Sequence, residues 1–482
     1  MLTQQESTFD ESSAVQNTEF YAVQKLRRIL LSLELLLLPF TAVSENPEIA
    51  TFALLELLLF TWLLWSPTRP PILFFAWLMQ WMQSSLLVFS LSLQGVSLSN
   101  HPNAGLATAS WLAILSSFAL GCGMAIPSRF KQPPSWNPAE CKSIPLFQLA
   151  ILYVVMVAST SALTVIAWTF TGITQLVLTI SYSRWAVIYL LFISTLTKQR
   201  GYWLALTVIL TEIAIGFLGY FGDFRHVIIV FLVALLSSNG SRRLIWMTVP
   251  IAALGVALLL VWTSIKVEYR AFVNKGGGLQ VVLVTDTEKV ERLVYLCQQL
   301  TKADLIKGTD ALVNRIAYVD LLSKTIQYVP SITPHEDGNL WKAAVRHVLI
   351  PRLFDPDKPS LDDSALARRY TGIFVAGKEE GTSIGLGYVA ESYVDFGRYG
   401  MFVPSLLLGL WLGWIHWRFR AKQFFQPLAA GFLVAIVVLN ANSIEISSAK
   451  LLGSQVTMAV IFFVMLSFGT RMLRTTSHQP ID

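Results

Sequence analysis

Long, uninterrupted apolar runs constrain this chain more than any other feature. Hydrophobic residues make up 54% of the sequence and charged residues only 14%, whereas soluble domains carry about 25% charged residues. Lipid offers no hydrogen-bond partners, so a spanning segment is a helix or part of a closed barrel. The runs show no alternation of polar and apolar residues, which indicates helices. The sequence therefore predicts an all-α polytopic membrane protein with about twelve spans, at 29–43, 51–65, 72–93, 107–126, 146–170, 176–196, 202–221, 226–238, 244–264, 401–419, 424–441 and 451–470.

The distribution of basic residues predicts the orientation of these spans. Lys and Arg collect in cytoplasmic loops, and with the N-terminus inside, every inner segment is basic while the short outer loops carry little charge. The formal net charge of +6 follows from this bias and gives no indication of a nucleic-acid partner. Both termini are expected in the cytoplasm. The inner basic residues are Lys25, Arg27, Arg28, Arg69, Arg129, Lys131, Lys142, Lys198, Arg200, Arg242, Arg243, Arg418, Arg420, Lys422, Arg471 and Arg474.

This orientation divides the chain into five parts and places a long polar block outside the membrane. We expect that block to form a helical periplasmic cap between the ninth and tenth spans. The protein would then be a multi-pass protein of the bacterial inner membrane with its active site facing the periplasm. The parts are a cytoplasmic tail at 1–28, spans one to nine at 29–266, the extracytoplasmic cap at 267–400, spans ten to twelve at 401–470, and a cytoplasmic tail at 471–482.

Apolar residues at helical spacing predict three helices in the cap. The first runs from Val290 to Leu300 and carries Cys297 on its apolar stripe, where core packing is the expected role. The second runs from Leu312 to Ile326 behind a cap at Thr309 or Asp310, and Pro330 stops it. The third runs from about Leu340 to Leu349.

Arginines near the outer ends of the spans are the first candidates for binding a substrate. The planar guanidinium group fits phosphate oxygens and stays charged when it loses water. A single interfacial arginine ordinarily snorkels or pairs with an acid, so the hypothesis requires at least two acting together. The predicted diphosphate- or substrate-binding residues are Arg225, Arg270, Arg352 and Arg398, with Arg184 inside the sixth span and Tyr388 in the segment before the tenth.

Arg184 and Glu212 carry charges inside neighbouring spans. Such charges are costly in lipid and mark functional positions by default. The structural alternative is an Arg–Glu pair between adjacent helices, and the sequence leaves both interpretations open.

Three residues are candidates for a general base. Glu391 and Asp395 lie one helical turn apart on one helix face, in a glycine-rich segment that permits a tight turn or a re-entrant stretch. His347 lies beside Arg346 and close in sequence to Arg352. A buried carboxylate or a histidine can accept a proton from a hydroxyl group, and we take Glu391 and His347 as the catalytic candidates.

The common signatures of metal and nucleotide enzymes are missing. The chain has no HExxH, CxxC, GxSxG or Walker motif. We therefore expect neither a metal site nor a cofactor.

Two stretches of the outer block carry a resemblance to a known family. Ile350 to Pro359 (IPRLFDPDKP) and Glu391 to Gly400 (ESYVDFGRYG), with Gly222 to Arg225 leading into a span, resemble bacterial oligosaccharide repeat-unit polymerases of the Wzy type. The layout of many spans followed by a large outer loop is also similar. Some family members carry an Arg-x10-Gly pattern in their outer loops, which the block at 267–400 lacks.

The resemblance implies a glycosyltransferase of the GT-C kind that inverts configuration without a metal. Donor and acceptor would be undecaprenyl-diphosphate-linked oligosaccharides, joined into a surface polysaccharide such as O-antigen or exopolysaccharide. It also implies a chain-length regulator, a polysaccharide co-polymerase, as a partner beside the lipid bilayer.

Two other functions fit the same sequence. An O-antigen ligase uses the same donor and a different acceptor. A transporter or lipid flippase could use Arg184, Glu212, Glu34 and Glu56 along a pathway, although the chain shows no repeat between its halves.

Overall fold

The computed structural model describes most of the chain as helix. No β-strand occurs in the part that it describes. That part comprises residues 2–66, 68–130, 136–169, 173–219, 223–238, 246–277, 282–350, 355, 361–377 and 383–477, and its side chains are described from 22 to 472 except at 128, 130, 161 and 168.

Among the described residues, ten α-helices precede the outer block at 267–400, six lie within it and three follow it. The first group is α1 (Leu2–Ala42), α2 (Pro47–Leu64), α3 (Ile72–Leu93), α4 (Leu106–Phe130), α5 (Leu146–Thr169), α6 (Thr174–Tyr182), α7 (Arg184–Lys198), α8 (Tyr202–Leu218), α9 (Arg225–Ser237) and α10 (Thr248–Val273). The second is α11 (Asp286–Gln299), α12 (Lys302–Ile316), α13 (Val319–Tyr328), α14 (Asn339–Leu349), α15 (Asp363–Thr371) and α16 (Tyr388–Gly400). The third is α17 (Phe402–Phe419), α18 (Gln426–Leu433, continued as a π-helix over Val434–Asn440) and α19 (Ser448–Ser477).

Within the described residues, seven helices are long and apolar enough to cross a membrane, and an eighth is added if α16 and α17 form one bent span. Three shorter apolar helices are α8, α9 and α18 with its π-helical continuation. Every predicted apolar segment coincides with one of these helices or, for 29–43, with the end of α1. The all-helical architecture is therefore confirmed for the described residues, with several helices able to cross a membrane, whereas the count of twelve, the orientation and the periplasmic cap stay predictions.

Helices α4 and α17 pack backbone against backbone. A Cβ added to Gly409 would lie 2.2 Å from the Leu120 carbonyl oxygen, and one added to Gly123 would lie 2.3 Å from that of Leu406. Small residues at such crossings let the helices approach closely. The resulting van der Waals contacts hold them together in lipid, where the hydrophobic effect does not drive helix association. This contact fixes α17, and with it the junction to α16.

The outer block differs from the sequence prediction in two respects. Its second helix is divided at Ala317 and Tyr318 into α12 and α13, and the cap of α12 is Thr301 rather than Thr309. Thr309 lies inside α12, where its hydroxyl donates to the Leu305 carbonyl oxygen. Cys297 is exposed rather than packed in a core, because the buried side of α11 is centred on Leu296, which lies about 100° from Cys297 around the helix axis. The first and third helices, α11 and α14, are confirmed.

The glycine-rich segment, which was predicted to permit a tight turn or a re-entrant stretch, contains a sharp break between two helices. The axes of α16 and α17 meet at 114°, and Gly397 adopts φ 65° and ψ −166° at the break. Only glycine adopts this conformation without strain. The bend turns α16 toward α14, where the candidate site lies.

Candidate functional site

Helix α16 holds two acids that were predicted to share a face, and each caps a different helix. The Asp395 carboxylate accepts hydrogen bonds from the backbone N–H of Leu340 at 3.0 Å and of Trp341 at 2.8 Å. These are orphan donors of the first turn of α14. The Trp341 indole also donates to Ser392 Oγ at 3.0 Å. Asp395 is therefore engaged in holding α14, which leaves it poorly placed as a base.

Glu391 has one anchored oxygen and one unused oxygen. The residue is 2% exposed. Its Oε2 accepts a hydrogen bond from the Ser448 backbone N–H at 2.9 Å and another from the Ser448 hydroxyl. Its Oε1 is buried and makes no hydrogen bond within the described part of the chain. Native proteins leave few such atoms, so the orphaned oxygen marks Glu391 as a functional candidate.

A cavity of about 620 Å³ lies over Glu391. Helices α14, α15 and α16 and the first turn of α19 form its walls. The polar lining consists of Arg346, His347, Asp355, Asp362, Asp363, Arg369, Glu391, Ser447 and Ser448. The apolar lining consists of Leu340, Ala343, Ala344, Ile350, Leu361, Ala365, Leu366 and Ala449. The volume falls in the usual range of small-molecule sites, roughly 300–1,000 Å³.

Two lining charges are neutralised by ion pairs. Arg369 pairs with Glu336 at 2.7 Å, and the Tyr370 hydroxyl donates to the same Glu336 oxygen at 2.7 Å. Burial, and then the Glu336 carboxylate, raise the pKa of Tyr370, which keeps its hydroxyl a donor. Lys450 pairs with Asp363 at 2.6 Å.

Arg346 remains available for a ligand. The residue is exposed, and no hydrogen bond or ion pair of its side chain occurs within the described residues. Asp362 is engaged in capping α15 through the Ala365 N–H at 3.0 Å. The cavity therefore offers the anchored carboxylate of Glu391 and the guanidinium of Arg346. That combination can take a proton from one group and stabilise negative charge on another.

The structure brings two of the predicted catalytic residues together. His347 and Glu391 both line the cavity. Arg352 lies outside the described residues, as does most of the stretch from Ile350 to Pro359. Its described neighbours in sequence, Ile350 and Asp355, both line the cavity.

Tyr388 lies beneath the cavity rather than in its lining. It is buried, and its hydroxyl donates to Gln80 Oε1 at 2.7 Å. Its backbone N–H donates to the Ile446 carbonyl oxygen at 2.8 Å. Tyr388 therefore connects α16 to α3 and to the segment that leads into α19.

The remaining predicted arginines do not line this cavity. Arg184 forms an ion pair with Glu212 at 3.6 Å, and Tyr153 donates to that carboxylate at 3.2 Å. This pair supports the structural interpretation. The charges of Arg184 and Arg225 both act on His226, so these two arginines lie in one neighbourhood.

Arg270 and Arg398 lie apart from the cavity as well. Arg270 is in the last turn of α10, where its charge and that of Arg315 act on Lys266. Arg398 follows the bend at Gly397 and is exposed. Neither position tests the predicted binding role, which stays a prediction for both.

Sequence reasoning missed the contribution of the last span. Ser447 and Ser448 begin α19 and form the cavity floor, and Lys450 neutralises Asp363. Two serines before a long apolar run are a helix-start signal, so the signal was present. Within the described residues, no group of three His, Cys, Asp or Glu side chains could hold a metal ion.

Comparison with known proteins identifies one family. A family model described as a domain of unknown function (DUF8712) matches residues 81–473. No curated protein and no solved structure matches the chain.

Proposed function

The chain belongs to the DUF8712 family, whose function is unknown, and we propose that it is a membrane glycosyltransferase that polymerises lipid-linked oligosaccharide repeat units. Donor and acceptor are undecaprenyl-diphosphate-linked units, as the Wzy-type resemblance implies. The proposal includes twelve spans with both termini inside, in a bacterial inner membrane. It places the cap formed by residues 267–400 on the periplasmic side, together with the cavity that lies between this cap and the start of α19.

One observation carries the proposal: Glu391 lies in the cavity floor with one oxygen anchored and the other unused. Ser448 fixes the carboxylate through Oε2, so Oε1 is held in one direction. A base in a fixed position spends no free energy on reorganisation when the substrate arrives. A carboxylate needed only for stability would be expected to use both of its oxygens.

The reaction is a single displacement at the donor's anomeric carbon. The acceptor hydroxyl oxygen forms a bond to that carbon while the bond from the carbon to the diphosphate oxygen breaks, which inverts configuration. The hydroxyl proton passes to Glu391 Oε1, and the electron pair leaves with the lipid diphosphate. His347 is the alternative base in the same cavity.

Cations stabilise the departing diphosphate. Charge on the leaving group grows in the transition state, and fixed positive groups stabilise it more there than in the ground state. Arg346 supplies one such charge at the cavity wall. Arg352 follows six residues later in sequence and is assigned as the second.

The test uses purified full-length protein in detergent and a lipid-diphosphate-linked repeat unit, with EDTA present and no nucleotide added. The expected result is a ladder of polymer on a gel. Transfer of a finished polymer to a different acceptor, without a ladder, would favour the ligase. If the folded protein leaves the repeat unit unchanged in detergent, and moves it across the membrane after reconstitution into vesicles, the transporter is favoured.

A further inference from the structure

Gln83 joins α3 to two parts of the chain that surround the cavity at Glu391. It is half-buried on α3, one of the helices long and apolar enough to cross a membrane. Its side-chain Nε2 donates to the Asn442 carbonyl oxygen at 2.6 Å, and its Oε1 accepts the Ile444 N–H at 3.0 Å. Its backbone carbonyl oxygen accepts the Tyr318 N–H at 3.0 Å. One residue of α3 is therefore bonded to the outer block and to the segment before α19.

The segment that Gln83 binds ends beside the residue that anchors Glu391. We call residues 441–446 the floor segment. Ser447 and Ser448 follow it directly and line the cavity, and the Ser448 N–H donates to Glu391 Oε2 at 2.9 Å. A shift of the floor segment would move the group that orients the Glu391 carboxylate.

The floor segment is irregular, so side chains and loop contacts take the place of helical hydrogen bonds. Gln80, one turn before Gln83 on α3, donates from Nε2 to the Ala441 carbonyl oxygen at 2.7 Å. At the other end, the Tyr388 N–H donates to the Ile446 carbonyl oxygen at 2.8 Å. The two glutamines of α3 thus hold the first half of the floor segment, and α16 holds its end.

A second connection from Gln83 to Glu391 runs through the outer block. Tyr318, which receives the backbone bond from Gln83, immediately precedes α13. Its hydroxyl donates to the Leu386 carbonyl oxygen at 2.6 Å and accepts the Ala390 N–H at 3.1 Å. Ala390 is the residue before Glu391, so the start of α16 is bonded to the same part of α3 as the floor segment.

We propose that Gln83 is a positioning residue for the transfer reaction: its side-chain amide fixes the floor segment so that Ser448 holds the Glu391 carboxylate in one orientation. This inference rests on the proposed function and adds a residue of α3 to it. A misplacement of about 1 Å can cost about 10²-fold in rate. Gln83 is not among the residues that line the cavity, so its replacement should lower kcat and leave KM almost unchanged.

The test compares variants of the purified full-length protein in detergent with the lipid-diphosphate-linked repeat unit as substrate. Gln83→Met keeps the length of the side chain and removes the amide, and it should lower kcat about 10- to 100-fold. The acidic limb of the pH–rate profile should move to higher pH, because hydrogen bonds donated to a carboxylate favour its ionised form and Ser448 would no longer be held in place. Gln83→Asn keeps an amide that is too short to reach both partners, so it should preserve the fold and still lower kcat.

Gln94→Met is the matched control, because it makes the same change at an exposed residue at the end of α3 and should alter neither kcat nor the pH profile. A wild-type protein that forms no polymer would overturn the proposed function and this inference with it. If the wild type forms polymer and both Gln83 variants keep its kcat, the inference alone fails. It also fails if the loss of kcat comes with an equal rise in KM or with an unchanged pH profile, since the effect would then be a general loss of structure.

Discussion

Glu391 and Asp395, four residues apart on α16, bind the first turns of two different helices. Glu391 Oε2 accepts the Ser448 N–H of α19 at 2.9 Å, and Asp395 accepts the Trp341 N–H of α14 at 2.8 Å. Helix α16 therefore joins a long apolar helix to a helix of the outer block. The two acids differ in one respect that matters for chemistry: only Glu391 keeps a buried oxygen without a hydrogen bond.

Replacing Glu391 with Gln should slow polymerisation strongly and preserve the fold. The Gln carbonyl oxygen can still accept the Ser448 N–H, whereas the amide nitrogen cannot take a proton. A general base contributes about 10²- to 10⁴-fold to a rate, so the rate at which polymer forms should fall by a factor in that range. Asp395→Asn is the matched control, because it makes the same change one turn away and should retain most of the rate. Equal losses in both variants would remove Glu391 from the role of base.

Replacing Asp395 with Ala should loosen α14 locally. The Leu340 and Trp341 N–H groups would lose their acceptor, and loss of a side-chain cap costs about 1 kcal/mol. Hydrogen exchange measured by mass spectrometry should show faster exchange in α14 and little change in α19. Lys342→Ala, an exposed change on the same helix, is the comparison. Unchanged protection of α14 would show that the cap contributes nothing measurable.

Arg346 and Arg369 should differ in their effect on catalysis although both line the cavity. Arg346→Ala should lower kcat/KM about 10- to 100-fold, because a hydrogen bond from a charged group to the diphosphate would be lost. Arg346→Lys should recover part of the loss. Arg369 is already paired with Glu336, so Arg369→Ala should lower kcat/KM far less. If Arg369→Ala lowered kcat/KM for the lipid-linked substrate more than Arg346→Ala did, Arg369 rather than Arg346 would be the cation that binds the diphosphate.

Much of the architecture could be predicted from the sequence, because long apolar runs in lipid have few alternatives to helix. The division of the outer block was harder to predict. An apolar stripe continues across Ala317 and Tyr318, and only tertiary contacts, such as the Tyr318 hydroxyl donating to the Leu386 carbonyl oxygen at 2.6 Å, determine the break. Periodicity also does not show which side of α11 is buried, which is why Cys297 was wrongly predicted to pack in a core.

The candidate site was predictable only in part. Glu391 and His347 were identified from residue type and position. The roles of Asp395 and Tyr388 depend on partners 55 and 308 residues away in sequence, which one sequence cannot reveal. The unused oxygen of Glu391 is likewise a property of the packed structure.

Tyr388 should act on stability rather than on substrate binding. Tyr388→Phe removes the hydrogen bond to Gln80 and leaves a buried amide oxygen unsatisfied, at a cost of about 1–3 kcal/mol. We expect a lower thermal unfolding midpoint with an unchanged KM. Tyr399→Phe, at an 86% exposed position, should change neither quantity. A raised KM at an unchanged midpoint would instead support the predicted binding role.

The capping boxes of α11 and α12 should make the outer block sensitive to acid. Hydrogen bonds from Thr285 and Thr301 lower the pKa of Glu288 and Asp304 below their ordinary values. A lowered folded-state pKa stabilises the helix ends above the ordinary carboxyl pKa, about 4, and that contribution is lost as pH falls through the folded pKa. Hydrogen exchange, corrected for the chemical rate, should therefore accelerate in both helices at low pH. Thr301→Ala should remove the acid response of α12 alone. Thr309→Ala, inside the same helix and bonded to Leu305, should leave it intact; an equal effect of the two changes would show that Thr301 does not act as the cap.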